Sequence, residues 1–324
     1  MSEDKIQYVD AYYGDPAYAS TLAMRGSYLT EHMLDIDQPI ARLCQNLNST
    51  PVDLPSVSLF DNRFYKITLH KLVDANEMRV MRDITQLLVP SAESLATCAL
   101  EQEYEFLKKS TNQGWNRCRK LTNIRPQPDY AVGFKKTAFT SQQVQRIWPF
   151  LGAGCISPFK ARDGMLFPFL ACEVKGNGGF ICAARCQNAH SMGIAVFGVV
   201  NLFRLLGEEE TLHRKILAFS IAHDASYVSI TGHYPVLSNG SWTVHSHMIF
   251  GRKLGAREEM TQIGTIGRWS SLTVVKNVYR YWAPDHLKML RDALNRVPDI
   301  PDVFLKEEFQ GYLNKSAELL YNDV

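Results

Sequence analysis

The spacing of hydrophobic residues changes near Glu77. Residues 1–76 show no sustained periodicity, and we expect an extended arm with short helices there. From Glu77 onward, hydrophobic residues recur every three or four positions, which is typical of a helix, and this stripe stops at Pro90. Ser91 can then cap a second helix, which the pattern predicts to run to about Lys109.

Short apolar runs separated by turn residues predict a set of strands, with helical patterns between them. The strands are expected at 129–134, 167–175, 216–224, 227–237 and 242–254, and the helices at 139–152 (capped by Thr140 or Ser141), 183–206 and 272–297, the last interrupted by Pro284. This order of elements predicts an α/β domain over about 77–300, with a mixed central β-sheet flanked by helices. Residues 1–76 would then be an N-terminal arm, and 301–324 a short helical tail.

Composition narrows the class of protein. The chain has 324 residues, 46% of them hydrophobic, which is ample for a core, and its net charge of +2 neither requires nor excludes a polyanionic partner. The segment 108–136 is different, because it contains eight basic residues and one acid. The N-terminus lacks the features of a secretory signal, and the apolar stretch 192–206 is too short to span a bilayer. Together with seven irregularly spaced cysteines, this predicts an intracellular protein, in the nucleus or cytoplasm and not in a membrane.

One apolar run contains an acid and a base. In FPFLACEVKG the only charged residues are Glu173 and Lys175, two positions apart, so that in a strand they share one face. A run this apolar is typical of a central strand covered on both sides. Charges are costly in such a strand and persist there chiefly when they serve a function. The pair therefore suggests metal-assisted chemistry.

Pro128-Asp129, a variable gap and Glu173-Val174-Lys175 together resemble the signature of the PD-(D/E)XK nucleases, the restriction-endonuclease-like superfamily. The stretches LLVPSAESLA, RPQPDYAVGF, FPFLACEVK, RCQNAHSM, ILAFSIAHD and ITGHYPV resemble a group of fungal nuclease-like proteins of that superfamily, over about 77–300. One departure is the turn after Lys175, which reads GNGG without an intervening cysteine or small residue.

The resemblance implies a site for Mg²⁺, or Mn²⁺, held by Asp129, Glu173, the backbone carbonyl of Val174 and waters. These are the oxygen ligands that Mg²⁺ prefers. Lys175 would orient the attacking water or offset charge developing on phosphorus. Gln187, on the helix after the strand, would be an accessory catalytic residue. Glu93 would supply an additional carboxylate to the metal.

Several alternatives stay open at this point. Asp163 competes with Asp129, Glu101 and Glu103 compete with Glu93, and Glu173 with Lys175 could form a buried structural ion pair. Gln187 could simply face solvent. The pairs His223-Asp224 and His233-Tyr234 resemble acid-base pairs but flank a hairpin, so we interpret Asp224 as a turn residue. Trp115, Trp148 and Trp282 could stack on bases, but we expect them in the core or an interface.

The leading hypothesis for function is a Mg²⁺-dependent nuclease that hydrolyses DNA or RNA, with nucleic acid as its partner. A second hypothesis is a catalytically silent nuclease-like scaffold that acts as a protein-binding or effector module. A third is the same fold recruited to small-molecule chemistry. The near-neutral overall charge keeps the second and third open, because many nucleic-acid enzymes are more basic.

Overall fold

The sheet and the helices around it are seen in a computed structural model, which describes residues 12–33, 38–98, 102–151, 156–255 and 267–298. The strands are β1 (Leu107–Thr111), β2 (Tyr130–Phe134), β3 (Lys160–Arg162), β4 (Met165–Val174), β5 (Ala218–His223), β6 (Tyr227–Ser238) and β7 (Ser241–Lys253). The helices are α1 (Tyr18–Met24), α2 (Gln38–Ser49), α3 (Tyr65–Leu72), α4 (Glu77–Val80), α5 (Gln86–Leu88), α6 (Ala92–Cys98), α7 (Ser141–Arg146), α8 (Ile181–Arg204), α9 (Ser270–Asn277) and α10 (Ala283–Arg296). Single π-helical turns, Met81–Thr85 and Val278–Trp282, join α4 to α5 and α9 to α10.

The strands form one mixed sheet, as the sequence predicts, and β1 and β3 bring the number of strands from the five expected to seven. Its order is β1-β2-β4-β5-β6-β7, with β3 paired to β4. Only β4 and β5 pair in parallel; the other neighbours are antiparallel. The 24-residue helix α8 connects these two strands, as a parallel pair requires a crossover. All ten residues of β4 are buried, so this strand lies at the centre of the molecule.

One helix prediction is wrong in its extent. The helix expected to run from Ser91 to Lys109 is described as far as Cys98, and 107–111 form β1 instead. The cause is tertiary, because β1 pairs residue by residue with β2, which provides hydrogen-bond partners for the backbone groups on that side. The last helical region is interrupted next to Pro284, as predicted. The π-helical turn Val278–Trp282 separates α9 from α10, and Pro284 lies in the first turn of α10.

Part of the predicted arm belongs to the main core. Buried residues between 38 and 76, among them Leu47 and Phe60, join the same hydrophobic cluster as the sheet. Asn277 of α9 is buried, and its side-chain amide donates hydrogen bonds to the backbone carbonyls of Leu47 (2.9 Å) and Thr50 (2.8 Å). This part of the arm is therefore fixed to the C-terminal helices.

An earlier part of the arm lies along β7. The N–H of Tyr28 donates to the carbonyl of Val244 (2.8 Å), the N–H of Val244 donates to Gly26 (2.7 Å), and the N–H of Ser246 donates to Thr30 (3.1 Å). The side chain of Ser246 also donates to the carbonyl of Tyr28 (2.8 Å). This segment therefore adds backbone hydrogen bonds to the last strand of the sheet.

None of the described helices is both long and apolar enough to cross a membrane. The predicted C-terminal helix at 301–324 and the candidate acid Glu101 lie outside the described residues.

Asn277→Ala tests the connection between arm and domain. Removing the amide leaves the carbonyls of Leu47 and Thr50 without this donor, so we expect the free energy of unfolding to fall by about 1–3 kcal/mol. Urea denaturation at constant pH measures the change. Asn46→Ala is the matched control, because Asn46 is exposed on α2 and its replacement should change stability little. Equal stabilities for the two variants would contradict this account.

Candidate active site

The two predicted carboxylates come together at one end of the sheet. Asp129 directly precedes β2, and the register pairs Tyr130 with Cys172, which puts Asp129 opposite Glu173 at the next position. A hydrogen bond fixes the Asp129 side chain to β4, since the backbone N–H of Val174 donates to Oδ2 of Asp129 at 2.8 Å. Antiparallel pairing of β2 with β4 therefore positions both acids.

Both carboxylates are buried, with exposed fractions of 8% for Asp129 and 2% for Glu173. Burial raises the pKa of Glu173 well above its usual range, and the negative charge of Asp129 raises it further, while Lys175 opposes the change. Burial also raises the pKa of Asp129, against the hydrogen bond from Val174. The end of β4 is thus a place where negative charge is poorly compensated.

Lys175 does not neutralise Glu173 directly. Its ammonium lies 3.5 Å from Oε2 of Glu77, whereas within the part of the chain that the structure describes it forms no ion pair with Glu173. The sequence left open a buried Glu173–Lys175 ion pair, and the observed partner is a different acid. The Lys175 side chain is only 14% exposed, so it is held in place beside the carboxylates.

The turn after Lys175 packs tightly against the start of α4. A Cβ at Gly176 would lie 2.3 Å from the backbone nitrogen of Glu77, which allows only glycine at this position without a shift. The N–H of Asn177 donates to the carbonyl of Ala75 (2.8 Å). The GNGG turn, which departs from the expected pattern, is therefore what lets Glu77 approach Lys175.

Sequence reasoning missed two residues of this site. Glu77 follows the helix-capping residue Asn76, where an acid is common for reasons of helix stability alone, so the sequence carried no clear signal. The other is Tyr13, in a segment without periodicity. The charge of Glu173 contributes to raising the pKa of Tyr13, after burial and the neighbouring Tyr18.

Tyr13 also contacts α8. Its hydroxyl lies 2.8 Å from Nδ1 of His190, and the hydroxyl of Tyr18 lies 3.0 Å from the same nitrogen. Burial lowers the pKa of His190 to about 3, so this histidine is neutral. The arm therefore reaches α8 beside the carboxylate site.

Other predicted residues have different surroundings. Glu93 accepts hydrogen bonds from the ammonium of Lys108 and the N–H of Lys109, both at 3.2 Å, so its carboxylate is occupied by β1. Gln187 is half-buried on α8, three positions before His190. Asp163, the rival of Asp129, is exposed and pairs with Arg117 at 3.4 Å.

The histidine pairs have structural contacts. Asp224 accepts hydrogen bonds from the N–H groups of Ser226 (2.6 Å) and Tyr227 (2.7 Å), as expected of a turn residue. His223 is buried against Thr85, and burial lowers its pKa to about 4. His233 is buried too, 2.8 Å from the hydroxyl of Ser220. The hydrogen bonds of His223 and His233 are therefore consistent with structural roles.

The described residues contain no group of three or more His, Cys, Asp or Glu side chains arranged to hold a metal ion. Asp129 and Glu173 are therefore two carboxylates without a third protein ligand of these types in place. Mg²⁺ is commonly held by one or two carboxylates, with waters and substrate oxygens completing its shell. The donor set fits Mg²⁺ better than a structural zinc, which takes four protein ligands.

Residues 64–294 match a family model described as a domain of unknown function, DUF7924. The chain belongs to the DUF7924 family. No curated protein matches the chain, and no solved structure matches it either. The DUF7924 region begins just before α3 and ends within α10, so it contains Glu77, Asp129, Glu173 and Lys175, whereas Tyr13 lies before it.

The raised pKa of Glu173 predicts a pH-dependent stability difference between the metal-free protein and Glu173→Gln. A carboxyl whose pKa in the folded state exceeds the unfolded value of about 4.3 binds more protons when folded. Wild type therefore loses stability as pH rises from about 4.3 through the raised pKa, and Glu173→Gln loses less, because only the raised pKa of Asp129 then contributes. Unfolding in urea with chelator present should give equal stabilities below this window and a more stable variant at neutral pH.

Glu93→Gln provides a control of opposite sign. Burial acts to raise the pKa of Glu93, but the N–H of Lys109 and the ammonium of Lys108 outweigh it and lower the pKa. This variant should be less stable than wild type at neutral pH, and the difference should vanish as pH falls through the lowered pKa. If both variants showed the same pH dependence, the inferred environment of Glu173 would be wrong.

Proposed function

We propose that the protein is a Mg²⁺-dependent nuclease of the PD-(D/E)XK type, with Asp129, Glu173 and Lys175 at its centre. One observation carries the proposal. Two buried carboxylates adjoin at the end of β4, their pKa values are raised, and the nearest lysine pairs with Glu77 instead of Glu173. Buried negative charge without a partner is unfavourable in a folded protein, and either a proton or a bound cation removes that cost.

The ligands available support this choice of cation. Asp129 uses Oδ2 to accept the N–H of Val174, and among the described residues its Oδ1 has no hydrogen-bond partner. That oxygen, the carboxylate of Glu173 and the carbonyl of Val174 would hold the ion. Bound there, Mg²⁺ would supply charge to polarise a phosphate and to lower the pKa of a coordinated water.

Lys175 would act on the reacting groups. Its ammonium lies on the same face of the strand as Glu173 and is held by Glu77 at 3.5 Å. A cation fixed in this way can orient an attacking water or stabilise negative charge on a phosphoryl oxygen, without having to reorganise during the reaction. Glu77 would then be a positioning residue, which is a different role from the metal-binding carboxylate that the sequence analysis assigned to Glu93.

The order of elements supports a restriction-endonuclease-like core. A helical segment starting at Glu77 precedes the antiparallel strands β1, β2 and β4, and α8 then leads to β5 in parallel with β4. The acids lie where β2 begins and β4 ends. In this topology the pairing of β2 with β4 is enough to bring the two carboxylates together. The PD-(D/E)XK signature requires such a pair of adjacent carboxylates.

A catalytically silent scaffold is the second candidate. The low exposure of Glu173 favours it, because a nucleic-acid backbone needs access to the metal. Ion pairing in the basic segment also favours it, since Lys108, Arg117 and Lys135 all have acidic partners and offer less charge to a phosphate backbone. The two candidates differ in whether metal-dependent cleavage occurs.

Cleavage of labelled single-stranded and duplex DNA and RNA tests the nuclease. We expect Mg²⁺-dependent products, and a loss of at least about 100-fold in rate for Glu173→Gln and Lys175→Met, as is typical when an electrostatic catalytic group is removed. Glu77→Gln should reduce the rate less, and Glu93→Gln should leave it unchanged. Cleavage that survives in Glu173→Gln would contradict the assignment, and absence of cleavage in every substrate would favour the silent scaffold.

Metal binding can be measured separately from cleavage. If Mn²⁺ or Mg²⁺ binds only the folded protein, it raises the melting temperature, by an amount corresponding to about 2.7 kcal/mol at 100 times its dissociation constant. We expect this shift in wild type and Lys175→Met, but not in Asp129→Asn or Glu173→Gln. A shift that persists in the double variant Asp129→Asn, Glu173→Gln would mean that the ion binds elsewhere.

A further inference from the structure

A surface groove lies at the far end of β2 from the carboxylates. It has a volume of about 730 Å³, its base includes the buried side chains of Phe139 and Val144, and its walls include Lys136 and Trp148. This volume falls within the range of small-molecule and cofactor sites. The groove shares no lining residue with the carboxylate site.

Trp148 is the distinctive feature of the groove. Its side chain is 49% exposed, whereas Trp115, Trp242 and Trp269 are buried and Trp282 is half-buried against the ring of His286. The sequence predicted a core or interface position for this residue, and the structure excludes the core, because the indole is exposed on the wall of a groove. An indole in this position offers a flat surface for a planar ligand.

A cation lies over the ring of that indole. The ammonium of Lys136 is 4.9 Å from the centre of the Trp148 ring. Its neighbour Lys135 pairs with Glu105 at 2.9 Å, but in the part of the chain that the structure describes Lys136 has no acidic partner. The groove also contains the hydroxyls of Thr137 and Ser141, which can donate hydrogen bonds to anionic oxygens.

We propose that this groove binds a nucleotide of single-stranded nucleic acid, with the base against Trp148 and the phosphate at Lys136; the inference rests on the proposed nuclease function for its choice of polymer. A ligand must combine a planar ring with a nearby negative charge to use both groups. Nucleotides have this combination at every position of the chain, and stacking on an aromatic side chain tolerates any base. A base within a duplex is already stacked, so its face is not accessible to the indole.

The position of the groove relates it to the carboxylates. Asp129 precedes β2 and Lys136 follows it, seven residues later, which corresponds to about 23 Å along an extended chain. The groove would therefore hold a nucleotide remote from the one being cut. Such a contact contributes affinity and favours substrates with a single-stranded extension over blunt duplexes.

Binding is tested with the full-length chain in chelator, so that no cleavage occurs. The probe is a labelled oligodeoxythymidylate of about 12 nucleotides, within the range that single-strand grooves cover. We expect tryptophan fluorescence to be quenched on binding. By fluorescence anisotropy, Trp148→Ala should raise the Kd roughly tenfold to a hundredfold, and Trp148→Phe, which keeps a ring, should raise it less.

Lys136→Gln tests the phosphate contact. It should weaken binding and reduce the slope of log Kd against log salt concentration by about 0.7, the value for one phosphate contact with a single strand. Lys66→Gln, at an exposed lysine of α3, is the matched control and should change neither quantity. A blunt duplex should bind more weakly than the single strand and without quenching.

Three results would overturn the inference: no binding of the oligonucleotide, unchanged affinity in both Trp148→Ala and Lys136→Gln, or equal quenching by an acidic peptide such as oligoglutamate. The last would identify a protein-binding groove.

A different result would contradict the nuclease proposal alone. If the protein binds the single strand through Trp148 and Lys136 but Mg²⁺ never yields products, the groove inference stands and the catalytic proposal falls.

Discussion

The burial of two negative charges at the end of β4 is the constraint on which the rest of the site depends. The β2–β4 register places Asp129 and Glu173 side by side, and one hydrogen bond from Val174 fixes Asp129 there. Neither acid can be ionised in this position without a free-energy cost, because water is largely excluded. A fold that keeps them adjacent must either protonate one or accept a cation. A cation bound by the two carboxylates could polarise a phosphate, which is the basis of the proposed nuclease function.

Several local features maintain that constraint. Glu77 holds Lys175 near the carboxylates at a distance from Glu173 that prevents a closed ion pair. Gly176 permits the start of α4 to approach the strand end, and the N–H of Lys175 donates to the carbonyl of His223 (2.9 Å), so the turn is tied to β5 as well. A structural ion pair between Glu173 and Lys175 would neutralise the carboxylate of Glu173. Because Lys175 pairs with Glu77 instead, the Glu173 carboxylate can bind a cation.

Much of the fold could be predicted from the sequence, because β4, α8 and the three strands after it have strong, continuous hydrophobic patterns. The approach of Asp129 to Glu173 could be predicted from the resemblance to the PD-(D/E)XK signature and not from the hydrophobic pattern alone. β1 could not, because its sequence LKKST has one buried apolar residue and its conformation depends on pairing with β2. Glu77 could not either. It is an acid at a helix start, and only the packing of Gly176 brings it to Lys175.

The arm segment along β7 has a consequence for association. The last strand of an open sheet presents unpaired N–H and C=O groups, and a strand of thirteen residues is a long template for another chain. Residues 26–30 satisfy part of that edge from within the same molecule. A protein trimmed to the matched region, residues 64–294, would expose this edge and gain a route to self-association through β-strand addition. This segment of the arm therefore hinders another chain from adding a strand to β7, although it lies outside the family region.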